Sequence, residues 1–265
     1  MKPPTVFLGE MTNPEVEAYM HERGDHATVI VPVGSTEQHG PHAPLASDVL
    51  IPMEVARRIA PAVKAVVAPP ISYGLSYPHA GFTGVVHVRI STFQALIEDL
   101  CTQFGGIGFR RIVFLNGHYD NTYAIAYACA AVGDKLPVGA RAFPVNYWDA
   151  MTPEEAEEFF DPSNGLHANK GETSAVMAIN PALVDMEAAN VEMPPFPEVT
   201  NPAAVHTAFF FSSPGSVFRA SRSGTWGDAR ESSAEFGERY LHVVTRATVR
   251  LLDDIERTFQ AMPDR

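Results

Sequence analysis

The hydrophobic positions of the chain alternate between short β-branched runs and longer stretches with helical spacing. The apolar run at residues 27–33 ends at Gly34, which is the pattern of a buried parallel strand. Further predicted strands cover residues 65–68, 111–115 and 139–145, and predicted helices cover residues 49–59, 91–104, 122–132 and 175–179. Because strands and helices alternate, we predict an α/β fold in a single domain, residues 1–265, with a mainly parallel β-sheet flanked by helices on both faces.

Polar loops follow the predicted strands that end near Val33, Leu115 and Val145. The first of these loops is rich in histidine, glycine, proline and acidic residues. In open parallel sheets, ligands bind beyond the carboxyl ends of the strands. We therefore expect the three loops to meet in one crevice.

Length and charge narrow the classes of protein. A chain of 265 residues can bury a large core without disulfides. The net charge of -12 and the absence of any Lys/Arg-rich run argue against a nucleic-acid partner. No apolar run approaches the roughly 20 residues that span a bilayer, so we expect no membrane partner and a cytoplasmic location. Cys101 and Cys129 fit two reduced thiols in that compartment.

The loop after the first strand carries Glu37, His39 and Asp48. Two carboxylates and one imidazole within a dozen positions are ligands that zinc, manganese and similar divalent ions accept. Taken alone, the same residues also fit a polar loop that caps a helix. Metal binding is therefore one of two interpretations at this point.

Two further clusters of histidine and acid stand at element ends. His118 follows the strand at residues 111–115, beside Asn121, which also fits a helix N-cap. His167 and Glu172 precede the apolar helix at residues 175–179. Three such clusters at strand or helix termini favour one shared metal site over three unrelated polar loops.

The motifs together resemble those of the creatininase (creatinine amidohydrolase) family. The matching segments lie in order between about residues 30 and 175, and they are residues 34–40 with Asp48, residues 73–76, 116–121 and 147–149, and His167 with residues 172–174. The resemblance implies two divalent metal ions per chain, zinc or manganese and also iron, because all three accept this ligand mixture.

The resemblance also implies how the ions are held. Asp48 bridges both ions, Glu37 and His118 bind one of them, and His39 binds the other. Two residues compete for the remaining position. One is Asp120, where creatininase itself has the longer glutamate. The other is Glu172, which we favour slightly because Asp120 is one methylene shorter.

Two cations held together lower the pKa of a shared water and create a nucleophile near neutral pH. The nitrogen that leaves after attack on an amide needs a proton. His167 matches the catalytic histidine of creatininase, so we predict His167 and Glu172 as catalytic residues. The alternative role of His167 is to support Glu172.

Four residues are predicted to contact substrate. Trp148 can stack on a planar ring or pack against the sheet. Ser76 and Tyr119 resemble substrate-contacting positions of the family. Arg222, in a Gly-rich loop, can clamp a substrate carboxylate or simply lie in solvent.

The chain departs from creatininase at two positions. Ser163 and Leu166 stand where creatininase has a tryptophan and an acid next to its catalytic histidine, which argues against creatinine as the substrate. We predict hydrolysis of a C–N bond in a small cyclic amide, such as a lactam or an oxindole-like, hydantoin-like or creatinine-like ring. The alternatives are a deformylase or peptide-tail hydrolase on the same scaffold and, less favoured, a catalytically inactive metal-binding protein. The resemblance also implies a homo-oligomer, with a hexamer favoured.

Overall fold

The computed structural model describes residues 4–159 and 165–262. The strands in chain order are β1 Thr28–Val33, β2 Val66–Val67, β3 Arg111–Asn116, β4 Arg141–Asn146, β5 Gly165–His167, β6 Val191–Glu192 and β7 Trp226–Asp228. The helices are α1 Asn13–Arg23, α2 Ser47–Val63, α3 Ile90–Ile107, α4 Thr122–Val132, α5 Pro153–Ala156, α6 Lys170–Ile179, α7 Pro202–Phe210, α8 Ser216–Ala220 and α9 Ala234–Ala261.

The first four strands form a parallel sheet in the order β2-β1-β3-β4. Its register aligns Val33 of β1 with Asn116 of β3, and Asn116 with Asn146 of β4. These three strands therefore end in one row, and the loops that follow them leave the sheet side by side. The predicted parallel sheet is confirmed.

Helices cover both faces of this sheet because successive side chains of a strand point to opposite sides. On one face, Ile30 and Val113 pack in a core with residues of α2, α6 and α9. On the other face, Val31 and Phe114 pack in a second core with residues of α3 and α4. The predicted α/β architecture, with helices on both faces, is therefore confirmed.

Helix α2 begins at Ser47, two residues before its predicted start, so that Asp48 lies in its first turn. The helix dipole favours a negative charge at this end. The backbone carbonyl of Asp48 is packed so closely by Gly34 and Gly117 that a Cβ atom on either glycine would lie 2.4 Å from its oxygen. Glycine at these two positions lets the loops after β1 and β3 close around Asp48.

The hydrophobic pattern did not predict two features of the second half of the chain. Strands β5, β7 and β6 form a small antiparallel sheet, in which His167 is paired with Trp226. The long helix α9 packs against α2 and α6. Within residues 4–159 and 165–262, no helix combines the length and apolarity needed to cross a bilayer.

Candidate metal centre

Ionisable side chains converge beyond the carboxyl ends of β1 and β3. Glu37 and His39 lie in the loop after β1, Asp48 lies at the start of α2, and His118 follows β3. All four residues are at most 5% exposed. The structure thus brings the four sequence-predicted ligands into one buried centre.

Three groups of side chains have potential ligand atoms within 4.8 Å of one another. The groups are Glu37 with Asp48 and His118, His39 with Asp48 and Glu172, and Glu37 with His39 and His167. Asp48 belongs to the first two groups: its Oδ2 lies 2.9 Å from Nδ1 of His118, and its Oδ1 lies 3.2 Å from Nε2 of His39. One carboxylate therefore faces two neighbouring sets of ligands.

Several buried polar atoms of this centre form no hydrogen bond of acceptable geometry with the described residues, although Asp48 lies close to His39 and His118. These atoms are Oε2 of Glu37, Nε2 of His39, Oδ2 of Asp48 and both carboxylate oxygens of Asp120. Burying such atoms without compensation costs free energy, and native structures rarely leave them so. Carboxylate oxygen and imidazole nitrogen are also the ligands that divalent ions prefer. The donor set fits divalent cations.

Both candidates for the remaining ligand reach the centre. Glu172 lies in the first turn of α6, and its Oε2 accepts a hydrogen bond from the backbone N–H of Ala168 at 2.7 Å. Ala168 has a left-handed φ of 52°, a conformation that is strained for a residue with a Cβ atom. Oδ2 of Asp120 lies 3.7 Å from Nε2 of His118. Glu172 is thus held by the backbone, whereas Asp120 keeps both oxygens available.

Burial and charge shift the pKa values in opposite directions across the centre. Burial raises the pKa of the Glu37 carboxyl to about 8. Burial opposes ionisation of Asp48 as well, but His39 and His118 outweigh it and hold the pKa of Asp48 well below its usual range. Burial would lower the pKa of His39, but Asp48 raises it to about 10. The centre therefore stabilises positive charge beside an ionised Asp48.

His167 is anchored from the opposite side of the centre. Its Nε2 lies 2.7 Å from the backbone carbonyl of Gln38, so that this nitrogen is the donor. Its Nδ1, which then carries the lone pair, lies 3.6 Å from Oε1 of Glu37. Burial and the charge of His39 lower the pKa of His167 to about 3. The neutral ring thus presents a proton acceptor to the centre.

His79 is a member of this centre that the predicted site omits. It is 1% exposed, and its Nε2 lies 3.3 Å from Oε1 of Glu37. Its Nδ1 accepts a hydrogen bond from the side-chain amide of Gln38 at 2.9 Å. This arrangement orients Glu37, as the partners of metal ligands commonly do. A histidine in a polar loop gives no such signal, because the contact with Glu37 spans two separate loops.

A cavity of about 410 Å³ opens onto the centre. Its polar wall carries Glu37, Asp48, His118 and Glu172, whereas its opposite walls are largely aromatic. The aromatic residues include Trp148 after β4, Phe159, Phe210 of α7 and Trp226 of β7. No lysine or arginine occurs among the described residues that line the cavity. The site thus offers apolar surface to a substrate, and histidines are the basic side chains among its described lining residues.

The four predicted substrate contacts are placed differently. Trp148 and Tyr119 line the cavity, with Tyr119 half exposed and stacked on Phe211 at 6.3 Å. Ser76 is fully buried, and its hydroxyl is hydrogen-bonded to that of Ser35 beneath the loops. Arg222 is exposed at the surface, outside the residues that line the cavity. The structure therefore brings only two of the four side chains to the cavity.

The two positions at which the sequence departs from creatininase are Ser163, in place of a tryptophan, and Leu166, in place of an acid. Leu166, where creatininase carries an acid, is 61% exposed at the cavity wall. Ser163 lies outside the described residues. Phe210 of α7 and Trp226 of β7 also line the cavity, and no sequence pattern indicated this because both are remote from the metal motifs.

The parallel α/β sheet and the buried carboxylate and imidazole centre at its carboxyl edge define a metal-dependent hydrolase. The creatininase family model, described as creatinine amidohydrolase, matches residues 9–252. The chain belongs to the creatininase family, as its motifs predict.

Known proteins resemble the chain in sequence, and solved structures resemble it in fold. The chain is 32% identical to creatinine amidohydrolase of Pseudomonas putida, over 90% of this chain and 93% of the relative. It is 47% identical to the mycofactocin precursor peptide peptidase of Mycolicibacterium smegmatis, but over 38% of this chain and 43% of that protein. Two solved creatininase structures, one described as the Mn form and one as a Zn-Zn type mutant, each match with a TM-score of 0.79 and 28% identity, covering 97% of this chain and 99% of theirs.

Proposed function

We propose that the protein is a dinuclear metal-dependent amidohydrolase that opens a small, uncharged cyclic amide. The observation that carries this proposal is the position of Asp48, which two groups of ligand atoms share. Glu37, Asp48 and His118 would hold one ion, and His39, Asp48 and Glu172 the other. When bound, two divalent ions lower the pKa of a shared water and polarise a substrate carbonyl.

The balance of charge supports two ions rather than one. Four carboxylates surround the centre, those of Glu37, Asp48, Asp120 and Glu172. Burial alone favours their protonated forms and raises the pKa values of Glu37, Asp120 and Glu172, so all four are ionised together only with positive charge nearby. Two divalent cations supply an equal positive charge. The Mn and Zn-Zn descriptions of the solved creatininase structures favour these two metals for the chain as well.

The residues of the chain supply the remaining steps. His167 accepts a proton at Nδ1, because its Nε2 hydrogen is held by the carbonyl of Gln38. It then donates that proton to the leaving nitrogen, which departs poorly without one. His79 keeps Glu37 in place. The aromatic walls, which include Trp148 and Trp226, exclude water from the substrate and accept a flat ring.

The absence of lysine and arginine from the described cavity lining favours an uncharged substrate. Arg222, the only sequence-predicted carboxylate clamp, lies away from the cavity. A ring of lactam or oxindole size also matches the volume of about 410 Å³. A cyclic amide is therefore the substrate class that the cavity suits best.

A second candidate is hydrolysis near the end of a peptide. The 47% identity to the mycofactocin precursor peptide peptidase, although local, favours it. Tyr119 and Leu166, 50% and 61% exposed, leave the mouth of the cavity open to a longer chain. An internal amide of a peptide is also uncharged, so it meets the same requirement at the reacting bond.

Metal analysis combined with a substrate panel tests the proposal. Protein purified without chelator is expected to contain about two divalent ions per chain, and to lose activity when they are stripped and regain it with Zn²⁺ or Mn²⁺. The panel consists of a lactam, a hydantoin, an oxindole and a creatinine analogue, set against formamides and short peptides. Ring opening supports the first candidate, and cleavage of peptides alone would replace it with the second. Protein without stoichiometric metal would overturn both.

Truncation of Trp148 tests how the substrate is held. An aromatic stack contributes about 0.5–1.5 kcal/mol beyond area burial. We expect Trp148→Ala to raise KM for the active substrate by up to about tenfold, with metal content unchanged, because 1.4 kcal/mol is a factor of ten in binding. Trp148→Phe keeps a flat ring and should change KM by less than about threefold. Equal KM values for the wild type and the alanine variant would show that the indole only packs against Tyr147.

A further inference from the structure

A second cavity, of about 710 Å³, lies at the amino edge of the parallel sheet. Val113 of β3 and Phe143 of β4 line it, together with residues of α2 and α9. Val63, which ends α2, lies at this cavity, whereas Asp48 begins the same helix at the metal centre. The helix rises about 22 Å over the fifteen steps from Asp48 to Val63, so the two cavities are separate sites.

Arginine dominates the lining of this cavity. Five arginines stand against two carboxylates there, and they are Arg23, Arg58, Arg111, Arg246 and Arg250 against Asp253 and Glu256. A quarter of the 19 basic residues of the chain are thus gathered in one place, although the net charge of the protein is -12. A cavity with an excess of one charge raises the local concentration of ligands of opposite charge.

Not all of this positive charge is used within the protein. Ion pairs with glutamates engage three of the arginines, namely Arg58, Arg111 and Arg250. Arg23 and Arg246 form no ion pair with any residue in the described ranges. Nε of Arg23 and Oγ1 of Thr245 are also buried without a hydrogen-bond partner there. These two atoms, on residues that line the cavity, therefore have no acceptor in the described part of the chain, although the Arg23 side chain also interacts with the hydroxyl of Tyr19.

Apolar side chains contribute much of the remaining surface of the cavity, beside His26, Thr28 and Thr245. Val113, Phe143, Val249 and Leu252 contribute it, beside the last turn of α2. Ligand sites in proteins commonly combine such a surface with a few converging polar groups in a volume of roughly 300–1,000 Å³. A bare inorganic anion would leave the apolar surface uncovered, so the lining suits an anion that carries an apolar part.

We propose that this cavity binds a small organic anion, whose carboxylate or phosphate group accepts hydrogen bonds from Arg23 and Arg246 and whose apolar part covers Val113 and Phe143. Guanidinium groups pair with either kind of anion through two parallel hydrogen bonds. Neither function proposed for the metal centre requires this site, because no described lining residue is shared between the two cavities.

Calorimetric titration of the metal-loaded protein tests the proposal, with benzoate and phenyl phosphate as probes and benzyl alcohol as the uncharged control. We expect one of the two anions to bind at one equivalent per chain, and benzyl alcohol not to bind detectably. Arg246→Gln, at an exposed position that tolerates the change, should weaken binding at least fivefold, and the double variant Arg23→Gln/Arg246→Gln at least about twentyfold. Arg239→Gln, on the same helix but outside the cavity, is the matched control and should bind as the wild type does.

Anions also bind metal ions, so a second control separates the two sites. In Asp48→Asn, whose change lies at the metal centre, binding of the anion should persist with the same affinity. Preference for benzoate or for phenyl phosphate identifies the head group. Binding that disappears in Asp48→Asn, binding that Arg246→Gln leaves unchanged, or no binding of either anion would overturn the proposal.

Discussion

Asp48→Asn is expected to lower kcat by at least about 10³-fold and to reduce the metal content well below two ions per chain. Metal ions contribute several kcal/mol of transition-state stabilisation, and about 4 kcal/mol corresponds to that factor. Asp48 has this large effect because its two oxygens face His118 and His39 from opposite groups. Asparagine keeps the size of the side chain but removes the charge and one acceptor oxygen.

Two measurements test this prediction together. Elemental mass spectrometry gives the metal content, and steady-state kinetics give kcat on the active substrate. Asp134→Asn, on an exposed turn, is the matched control and should retain both values. A variant with two ions and full activity would show that Asp48 is not shared between two metal positions. A variant that keeps one ion and partial activity would show that only the group of His39, Asp48 and Glu172 depends on Asp48 to hold its ion.

His167→Gln is expected to lower kcat by about 10²–10⁴-fold, the usual contribution of a positioned general acid or base. Metal content and KM should stay within about twofold of the wild type. The reason lies in the geometry of the ring, because Nε2 donates to Gln38 and leaves Nδ1 as the proton acceptor beside Glu37. Glutamine can donate the first hydrogen bond through its side-chain amide but cannot carry a proton between atoms.

The comparison of kcat with metal content decides the role of His167. Its Nδ1 also lies in a group with Glu37 and His39 that is close enough to hold an ion. Loss of metal in parallel with activity would contradict the proton-transfer role and make His167 a ligand. His242→Gln, at an exposed position of α9, is the control for replacing any histidine, and it should leave both quantities unchanged.

The local pattern of the chain was enough to predict the parallel sheet. Runs such as residues 29–33 and 112–115 are apolar on both faces, and only a strand covered by helices on both sides buries such a run. Parallel strands then end at one edge, so the positions of Glu37 and His118 directly after two strands predicted that they meet. The motif resemblance reached further and assigned roles to Asp48, His167 and Glu172, which the structure brings to the same centre.

Contacts between distant segments decided the rest. The sequence could not show that His79 orients Glu37, because that contact joins two loops whose relative position the packed sheet alone sets. For the same reason it could not show that Ser76 is buried against Ser35 or that Arg222 faces solvent.

By itself, then, the sequence determined the sheet, its helical layers and the candidate metal ligands, because hydrophobic period and ligand type are properties of local segments. Only the tertiary structure decided which side chains form the cavity walls, where Phe210 and Trp226 line the same cavity as Trp148. It alone also gathered the five arginines of the second cavity, which come from α1, α2, β3 and α9. Such surfaces arise from the packing of helices on a sheet, and no single segment encodes them.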